Sequence, residues 1–389
     1  MENEVKVPED IDTPRPYPLH SMSPLSLLGM LLPVLLLPPF GILIAGYSLP
    51  ESFTIFSIPI EPGPSSIIWP AWGVVALFIA STIAPFLWHF FRYTFTTDPS
   101  SLQPHPFPWW GWLAILWTTA SWVLAWTRFS WFHPLQPHTF PLLWFGYIVT
   151  VNALSYQRSK TCLLLNHPRL TGYLFLLSAG FWWTFEYLNQ FVKNWHYVSV
   201  PDTSDLEYVF FTSLAFSTVL PAVLSTHEWL TTFPRLTKPF ENWHPLPSLG
   251  HRGTGWMAFR LGTLGLSLIG IWPTYLFPLL WLSPLMLLLA IQFLRKEQTC
   301  LHLLGQGDWR PVLLSGLAAL VCGFWWELWN AGSLVHWEYT LPFVQALKIF
   351  EMPVLGYAGY LPFGLLCLVI TEVGLGYRTN RPWRGESQT

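Results

Sequence analysis

Two stretches of the sequence nearly repeat each other: "GFWWTFEYLN" from Gly180 to Asn189, and "GFWWELWN" from Gly323 to Asn330. In each stretch a Gly-Phe-Trp-Trp cluster precedes a glutamate, and an asparagine follows that glutamate three residues later. Residues three apart lie on the same face of a helix. We therefore expect the same acid and amide to stand side by side at two places in one fold.

The chain around these stretches has too few charges for a soluble protein. Apolar residues make up 52% of its 389 residues and charged residues 10%, whereas soluble domains average about 25% charged residues. A membrane-spanning helix needs roughly 20 mostly apolar residues, which predicts an all-α polytopic membrane protein with about ten transmembrane helices. The apolar runs are 24–47, 66–90, 109–127, 139–157, 170–191, 206–230, 255–272, 275–294, 309–330 and 347–375.

Further matches around the two stretches predict an internal duplication. "TFPLLWFGY" at 139–147 matches "LFPLLWLSP" at 276–284, and "NWHYVSVP" at 194–201 matches "HWEYTLP" at 336–342. Five such matches occur in the same order, at offsets between 137 and 143 residues. Because a unit of four helices returns the chain to the side on which it began, the second copy has the orientation of the first. This indicates a parallel repeat about a pseudo-twofold axis along the membrane normal.

The expected organisation follows from these two patterns. Its segments are a disordered cytoplasmic tail (1–23), two N-terminal transmembrane helices (24–107), a first four-helix repeat (108–235), a cytoplasmic linker (236–252), a second four-helix repeat (253–378) and a cytoplasmic tail (379–389).

The basic residues predict which side each segment faces. With the N-terminus inside, 15 of the 19 Lys and Arg residues fall on the cytoplasmic side, and only Arg128, Lys193 and Lys348 fall outside. Lys and Arg favour the cytoplasmic side, so both termini are expected there, in a bacterial inner membrane. The net charge of −2 argues against a nucleic-acid partner. Membrane lipid and an apolar ligand are the expected partners, and the sequence does not determine the oligomeric state or the partners in a complex.

Three carboxyl groups are candidates for catalysis. Glu186 and Glu327 fall near the outer boundary of the hydrocarbon layer, where a carboxylate is costly and by default a functional candidate. Glu351 begins the last apolar run, in which Pro353 and other helix breakers predict a broken helix that lines a cavity. Alternatively, Glu351 forms an ion pair with Lys348 at a solvated helix start.

The residues around these acids are the candidates for ligand binding. The two tryptophan pairs would form the aromatic wall of a cavity, and the two Trp-x-Tyr elements would form its outer lid. The alternative is an aromatic belt at the membrane interface. The candidate ligand-binding residues are Asn189, Asn330, Trp182, Trp183, Trp325, Trp326, Trp195, Tyr197, Trp337 and Tyr339.

No metal or cofactor site is indicated. His89 and His227 lie near inner helix ends, where interfacial placement is favoured over haem ligation because no His pair has helical i,i+4 spacing. Asp202 and Asp205 form a single D-x-x-D, whereas prenyl-diphosphate enzymes need two acidic clusters for Mg²⁺. A Gly-rich phosphate loop is also missing from the sequence.

Three classes of function remain open. A carboxylic acid kept neutral by burial can protonate a carbon–carbon double bond, and aromatic faces stabilise the resulting cation, which suits a cofactor-independent cyclase or isomerase of isoprenoids. The order of acidic helix, Trp-x-Tyr element and Pro-containing helix resembles the membrane-bound lycopene cyclases. Their Pro-x-Glu-Glu element is missing, so no residue role is taken from them. Parallel repeats with paired carboxylates also suit a proton-coupled transporter, and a Trp-rich surface suits a structural, pigment- or lipid-contacting subunit of a membrane complex.

Overall fold

The structure, a computed structural model, describes residues 24–49, 68–95, 104–246, 251–297 and 299–376. The expected tails at 1–23 and 379–389 lie outside these residues. The described chain is largely helical. Its helices are α1 (Pro24–Ile44), α2 (Trp69–Arg92), α3 (Trp109–Trp126), α4 (Thr139–Ser159), α5 (Leu163–Asn166), α6 (Pro168–Val192), α7 (Asp205–Phe216), α8 (Val219–Thr231), α9 (Pro234–Thr237), α10 (Arg252–Leu268), α11 (Pro273–Leu276), α12 (Leu279–Leu294), α13 (Arg310–Gly332) and α14 (Tyr360–Leu375).

The described residues also form short 3₁₀ turns and two small ribbons. The 3₁₀ segments are Ser130–His138, Lys238–Phe240, Cys300–Gln306 and Val354–Gly359. The strands are β1 (Trp195–Val198), β2 (His336–Tyr339), β3 (Lys348–Ile349) and β4 (Met352–Pro353). β1 pairs with β2 and β3 pairs with β4, both antiparallel.

Each of the ten apolar runs contains at least one helix. Within the described residues, four helical stretches are long and apolar enough to cross a membrane: Trp69–Arg92, Asp205–Thr231, Arg310–Gly332 and Val354–Leu375. By contrast, α12 has 16 residues and rises about 24 Å, which is less than the ~30 Å of hydrocarbon in a bilayer. The chain thus has helices suited to a membrane, and the count of ten spans stays a prediction.

The last apolar run differs from the single helix expected over 347–375. Its first part forms the ribbon of β3 and β4 and a 3₁₀ turn, and α14 begins only at Tyr360. Leu347 and Phe350 adopt φ angles of 56° and 55°, which no right-handed helix can contain. The expected helix is therefore confined to the second part of the run.

The centre of the fold is formed by α4, α6, α8, α12, α13 and α14. Here α13 and α14 meet at backbone distance, because a Cβ added to Gly364 would overlap the Ser315 carbonyl. Two helix hairpins, α3 with α4 and α10 with α12, also use a small residue at the crossing: Gly146 faces Thr118, and Gly265 faces Ser283. Small residues that let helices approach closely are typical of packing in membranes.

The helix α2 lies at the edge of this bundle. None of its residues is buried, and its large apolar side chains Leu77 and Phe78 are 71% and 69% exposed. Its contacts with the rest of the fold include the 3₁₀ segment Val354–Gly359 and the stacking of His89 on Trp243, with 4.9 Å between ring centroids. An apolar helix exposed on most of its surface is stable in lipid rather than in water.

Candidate functional site

The two Trp-x-Tyr elements, expected to lie over the glutamates, form the two strands of one ribbon. Trp195 pairs with Tyr339, and Tyr197 pairs with Trp337. The two Trp-x-Tyr elements exchange under one shift: adding 142 to Trp195 and Tyr197 gives Trp337 and Tyr339, and the pair Trp195–Tyr339 becomes the pair Trp337–Tyr197. A twofold axis through the ribbon would produce such a register.

Glu186, on α6, is surrounded by hydrogen-bond donors. Its Oε1 accepts from Tyr197 Oη at 2.7 Å, from Trp182 Nε1 at 2.9 Å and from Trp195 Nε1 at 3.2 Å. Its Oε2 accepts from the same Trp195 Nε1 at 3.2 Å. The side chain is completely buried, and both of its oxygens have a partner.

Glu327, on α13, is also completely buried but is held differently. Its Oε1 accepts from Tyr339 Oη and from Tyr360 Oη, each at 2.8 Å. The indole of Trp337 donates to Tyr339 Oη at 2.8 Å instead of to the carboxyl group. Glu327 Oε2 has no hydrogen-bond partner in the described part of the protein. The two glutamates thus have similar places but unequal numbers of donors.

Both asparagines hold the strand that follows their helix. Asn189 Nδ2 donates to the Trp195 carbonyl at 2.8 Å, and its Oδ1 accepts from the Asn194 amide at 2.7 Å. Asn330 Nδ2 donates to the Trp337 carbonyl at 2.7 Å, and its Oδ1 accepts from the Trp337 amide at 2.8 Å. Each buried amide therefore fixes the position of the Trp-x-Tyr element over the preceding glutamate.

A cavity of about 630 Å³ opens beside the ribbon. Of the predicted ligand-binding residues, Trp182, Trp195, Tyr197, Trp326, Trp337 and Tyr339 line it. The rest of the wall is mostly apolar and comes from α2, from the start of α4, from α7 and from residues 352–363. The structure therefore brings six of the ten predicted ligand-binding residues to one cavity.

The carboxyl groups do not themselves line the cavity. Glu186 and Glu327 lie behind the phenols of Tyr197, Tyr339 and Tyr360, which do line it. Asn189 and Asn330 likewise lie outside the lining, on the strand backbone.

Trp183, Trp325 and Glu351 are placed away from the cavity. Trp183 Nε1 donates to Ser213 Oγ at 2.9 Å, and Trp325 packs on Trp329 with 5.2 Å between ring centroids. Glu351 accepts a hydrogen bond from Lys348 Nζ at 3.3 Å, which is the ion pair expected as the alternative to a catalytic role of Glu351. A functional role for these three residues stays a prediction.

The repeated Gly-Phe-Trp-Trp clusters occupy different positions relative to the glutamates. The glutamates are 141 residues apart (327 minus 186), but the clusters are 143 apart (323 minus 180). Because α6 and α13 are both continuous, two extra residues rotate the first cluster by about 200° around its helix. The two clusters therefore match in sequence but lie on different faces of their helices relative to the glutamates.

The residues that do match are those directly before each glutamate. Phe185 stacks on Trp281, with ring centroids 4.7 Å apart, and Trp326 packs on Trp144 at 4.9 Å. Trp144 and Trp281 belong to the matching "FPLLW" stretches. Each of the two helices thus packs against the tryptophan of the other predicted copy.

Sequence reasoning missed three residues at this site. Tyr360 donates a hydrogen bond to Glu327. Trp281 stacks on Trp195, with 5.7 Å between ring centroids, and Asn194 lines the cavity. Trp281 could have been found, since it lies in a matched stretch. Tyr360 has no counterpart in the predicted first copy, where the position before Leu220 is Val219.

The tyrosines of the ribbon are neutral phenols. Burial, reinforced by the nearby Glu186 carboxyl, raises the pKa of Tyr197 well above its ordinary value. Burial and Glu327 do the same to the pKa of Tyr339. Each phenol therefore keeps its proton and donates it in a hydrogen bond to a carboxyl oxygen.

No metal centre is formed by the described residues: none of their His, Cys, Asp and Glu side chains gather in groups of three or more that could hold an ion. His227 is buried on α8, and neither it nor His89 lines the cavity. The expected lack of a cofactor stays a prediction.

Comparison with known proteins gives no relative: no protein family, curated protein or solved structure matches the chain.

Proposed function

We propose that this protein is an integral membrane protein that binds an apolar, isoprenoid- or lipid-like ligand in the aromatic cavity. The observation that carries the proposal is the cavity itself, whose wall is mostly apolar and includes the indoles of Trp182, Trp195, Trp326 and Trp337. Its volume of about 630 Å³ lies within the usual range of small-molecule sites. The helices suited to a membrane support access from the lipid phase.

The proposal includes the parallel duplication, with the cavity at the junction of the two copies. Both strands of the ribbon, both glutamates and the crossed packing of Trp144 and Trp281 support it. In a duplicated fold a shared ligand site between the halves is the common arrangement.

Binding can be tested by filling the cavity. Gly359 lines it, and a Cβ at this position meets no atom within 4 Å, so Gly359→Leu adds volume at the cavity wall without a clash at its Cβ atom. We expect this variant, purified in nanodiscs, to bind a brominated isoprenoid hydrocarbon at least tenfold more weakly than the unchanged protein. Quenching of tryptophan fluorescence by the bromine atoms measures the binding.

The matched control is Gly180→Leu. A Cβ at Gly180 also meets no atom within 4 Å, but Gly180 does not line the cavity. Equal weakening by both substitutions, or by neither, would show that the probe binds elsewhere.

We also propose that Glu327 is the working acid of the cavity and that Glu186 is the more structural of the two. Glu186 has donors on both oxygens, whereas Glu327 Oε2 has none among the described residues. A buried carboxyl with no cation and a free oxygen is best accommodated as the neutral acid. None of the ion pairs in the described chain involves either residue.

The phenols set the path of any proton to the ligand. A proton of Glu327 carried on Oε1 passes to the hydroxyl oxygen of Tyr339 or Tyr360 as that phenol gives its own proton to the ligand, and the same path returns a proton to the carboxylate when the product forms. The charge that develops on the ligand lies against tryptophan faces, which stabilise a cation. The net reaction is an isomerisation or cyclisation that consumes no cofactor.

Deuterium incorporation tests this chemistry. The protein is incubated in D₂O with a polyunsaturated isoprenoid, and the ligand is then analysed by mass spectrometry. We expect deuterium in the ligand with the unchanged protein, at least a hundredfold less with Glu327→Gln, and a smaller loss with Glu186→Gln. Glutamine keeps the volume of the side chain but cannot release a proton. If Glu327→Gln incorporates deuterium as fast as the unchanged protein, this carboxyl is not the acid.

A further inference from the structure

One side chain at the wall of the cavity has hydrogen-bonding groups that the protein leaves unused. Asn194 lies between α6 and β1, is 1% exposed and lines the cavity. Neither its Nδ2 nor its Oδ1 has a hydrogen-bond partner within the described residues. Buried polar groups in folded proteins nearly always have partners, so an unpaired amide at a cavity wall indicates a partner that comes from outside the chain.

The backbone of Asn194 holds that amide in a fixed place. Its main-chain N–H donates to Asn189 Oδ1 at 2.7 Å, and its carbonyl accepts from the Thr340 amide at 2.8 Å. The residue is therefore fixed at both backbone groups while its side chain forms none of these bonds. The amide therefore keeps one donor group and one acceptor atom unused at the wall of the cavity.

The ionisable groups of the wall decide what charge a ligand can carry. No Lys or Arg occurs among the described residues that line the cavity. Its one histidine, His138, stacks on Phe211 with 3.7 Å between ring centroids, and desolvation lowers its pKa against the opposing effect of Glu207. A buried anion without a cation is strongly unfavourable, so a phosphate, diphosphate or carboxylate end does not suit this wall.

We infer that the cavity takes a neutral lipid or isoprenoid that ends in a hydroxyl group, and that Asn194 binds this hydroxyl. A hydroxyl both donates and accepts, so it satisfies the two unused groups of the amide at once. A hydrocarbon satisfies neither, and a diphosphate ester brings negative charge. This inference rests on the proposed function, because it names the ligand class of the same cavity.

Three probes of equal chain length test the inference: geranylgeraniol, the corresponding hydrocarbon and geranylgeranyl diphosphate. Each competes with the brominated hydrocarbon for the full-length protein in nanodiscs. We expect the alcohol to bind at least tenfold more tightly than the hydrocarbon, and the diphosphate to bind most weakly. In Asn194→Leu the alcohol should lose this advantage while the affinity for the hydrocarbon is kept or rises.

A second polar residue of the wall provides the control. Thr203 also lines the cavity, and Thr203→Val should leave the preference for the alcohol unchanged. The thermal midpoint of Asn194→Leu checks that the variant is folded.

The binding results distinguish a failure of the role of Asn194 from a failure of the proposed apolar ligand site. If the hydrocarbon binds but the alcohol has no advantage, or if Asn194→Leu keeps that advantage, the role of Asn194 is wrong while the apolar cavity stands. Tightest binding of the diphosphate would also overturn the inference. If none of the three probes binds, the proposed function fails and the inference fails with it.

Discussion

At the scale of single residues, the site depends on which donors surround each glutamate. Both glutamates are buried, yet Glu186 accepts from two indoles and one phenol, and Glu327 from two phenols. The sequence motif contains the acid, the amide and the Trp-x-Tyr element of each copy. It does not contain Tyr360, which lies 33 residues after Glu327 and reaches it only because α14 packs on α13.

The asparagines of the motif are expected to act on stability. Asn189→Leu removes the side chain that pairs with the backbone of Asn194 and Trp195, and each buried backbone group left unpaired costs about 1–3 kcal/mol. We expect a clear decrease in the midpoint of thermal unfolding in detergent.

The neighbouring Asn194→Leu is the matched control, since it makes the same chemical change in a buried residue but breaks no side-chain hydrogen bond. Its unfolding midpoint should stay close to that of the unchanged protein. An equal decrease in the unfolding midpoint for both variants would mean that the hydrogen bonds of the Asn189 side chain do not contribute to stability.

At the scale of helices and strands, hydropathy located the helices better than it located their ends. All ten apolar runs contain a helix, but residues 347–359 form a ribbon and a 3₁₀ turn. The run 347–375 is mostly apolar when taken as a whole, so its average hydropathy does not show where the helix begins. Leu347 and Phe350 adopt left-handed backbone conformations, for which glycine is the usual signal in a sequence. Because neither residue is glycine, the sequence predicted a helix through this segment.

The glycines of the two Gly-Phe-Trp-Trp clusters should respond differently to substitution. A Cβ at Gly323 would meet the ring of Tyr360, whereas a Cβ at Gly180 meets nothing within 4 Å. We expect Gly323→Ala to displace Tyr360 from Glu327 and to lower the free energy of unfolding by about 1–3 kcal/mol. Gly180→Ala should be neutral or stabilising by up to about 1 kcal/mol. Denaturation of both variants in the same detergent measures the difference.

Combining Gly323→Ala with Tyr360→Phe tests whether displacement of the Tyr360 hydroxyl group causes the loss of stability. In Tyr360→Phe the hydroxyl group is already absent, so part of the damage from Gly323→Ala should disappear when the two changes are combined. Full additivity would show that Gly323→Ala does not displace the Tyr360 hydroxyl from Glu327, because changes that remove the same hydrogen bond are expected to couple.

At the scale of the whole molecule, the duplication stays a prediction, and the contacts that bear on it are ones that no single motif could indicate. The Trp-x-Tyr pairs of the ribbon exchange with each other, and each glutamate-bearing helix packs on the "FPLLW" tryptophan of the other predicted copy. The sequence matches identified these tryptophans but did not predict that they pack across the two predicted copies. The unequal donors of the two glutamates could not be predicted either, because Tyr360, which donates to Glu327, lies outside the repeated motif.

The last prediction concerns which faces of the molecule lie on which side of the membrane. Asp202 and Lys348 are exposed and follow the paired strands β1 and β2, so they share one face, and the basic residues predict that it is outside. Arg235 and Glu297 are exposed beyond the opposite helix ends, on the predicted cytoplasmic face. All four native cysteines are buried, so a single added cysteine can be labelled without removing them.

A membrane-impermeant maleimide should label Asp202→Cys and Lys348→Cys in intact cells, and Arg235→Cys and Glu297→Cys only after permeabilisation. Labelling of Asp202→Cys and Lys348→Cys from opposite sides would contradict the ribbon and the parallel repeat together, whereas a reversed pattern for all four would contradict only the orientation.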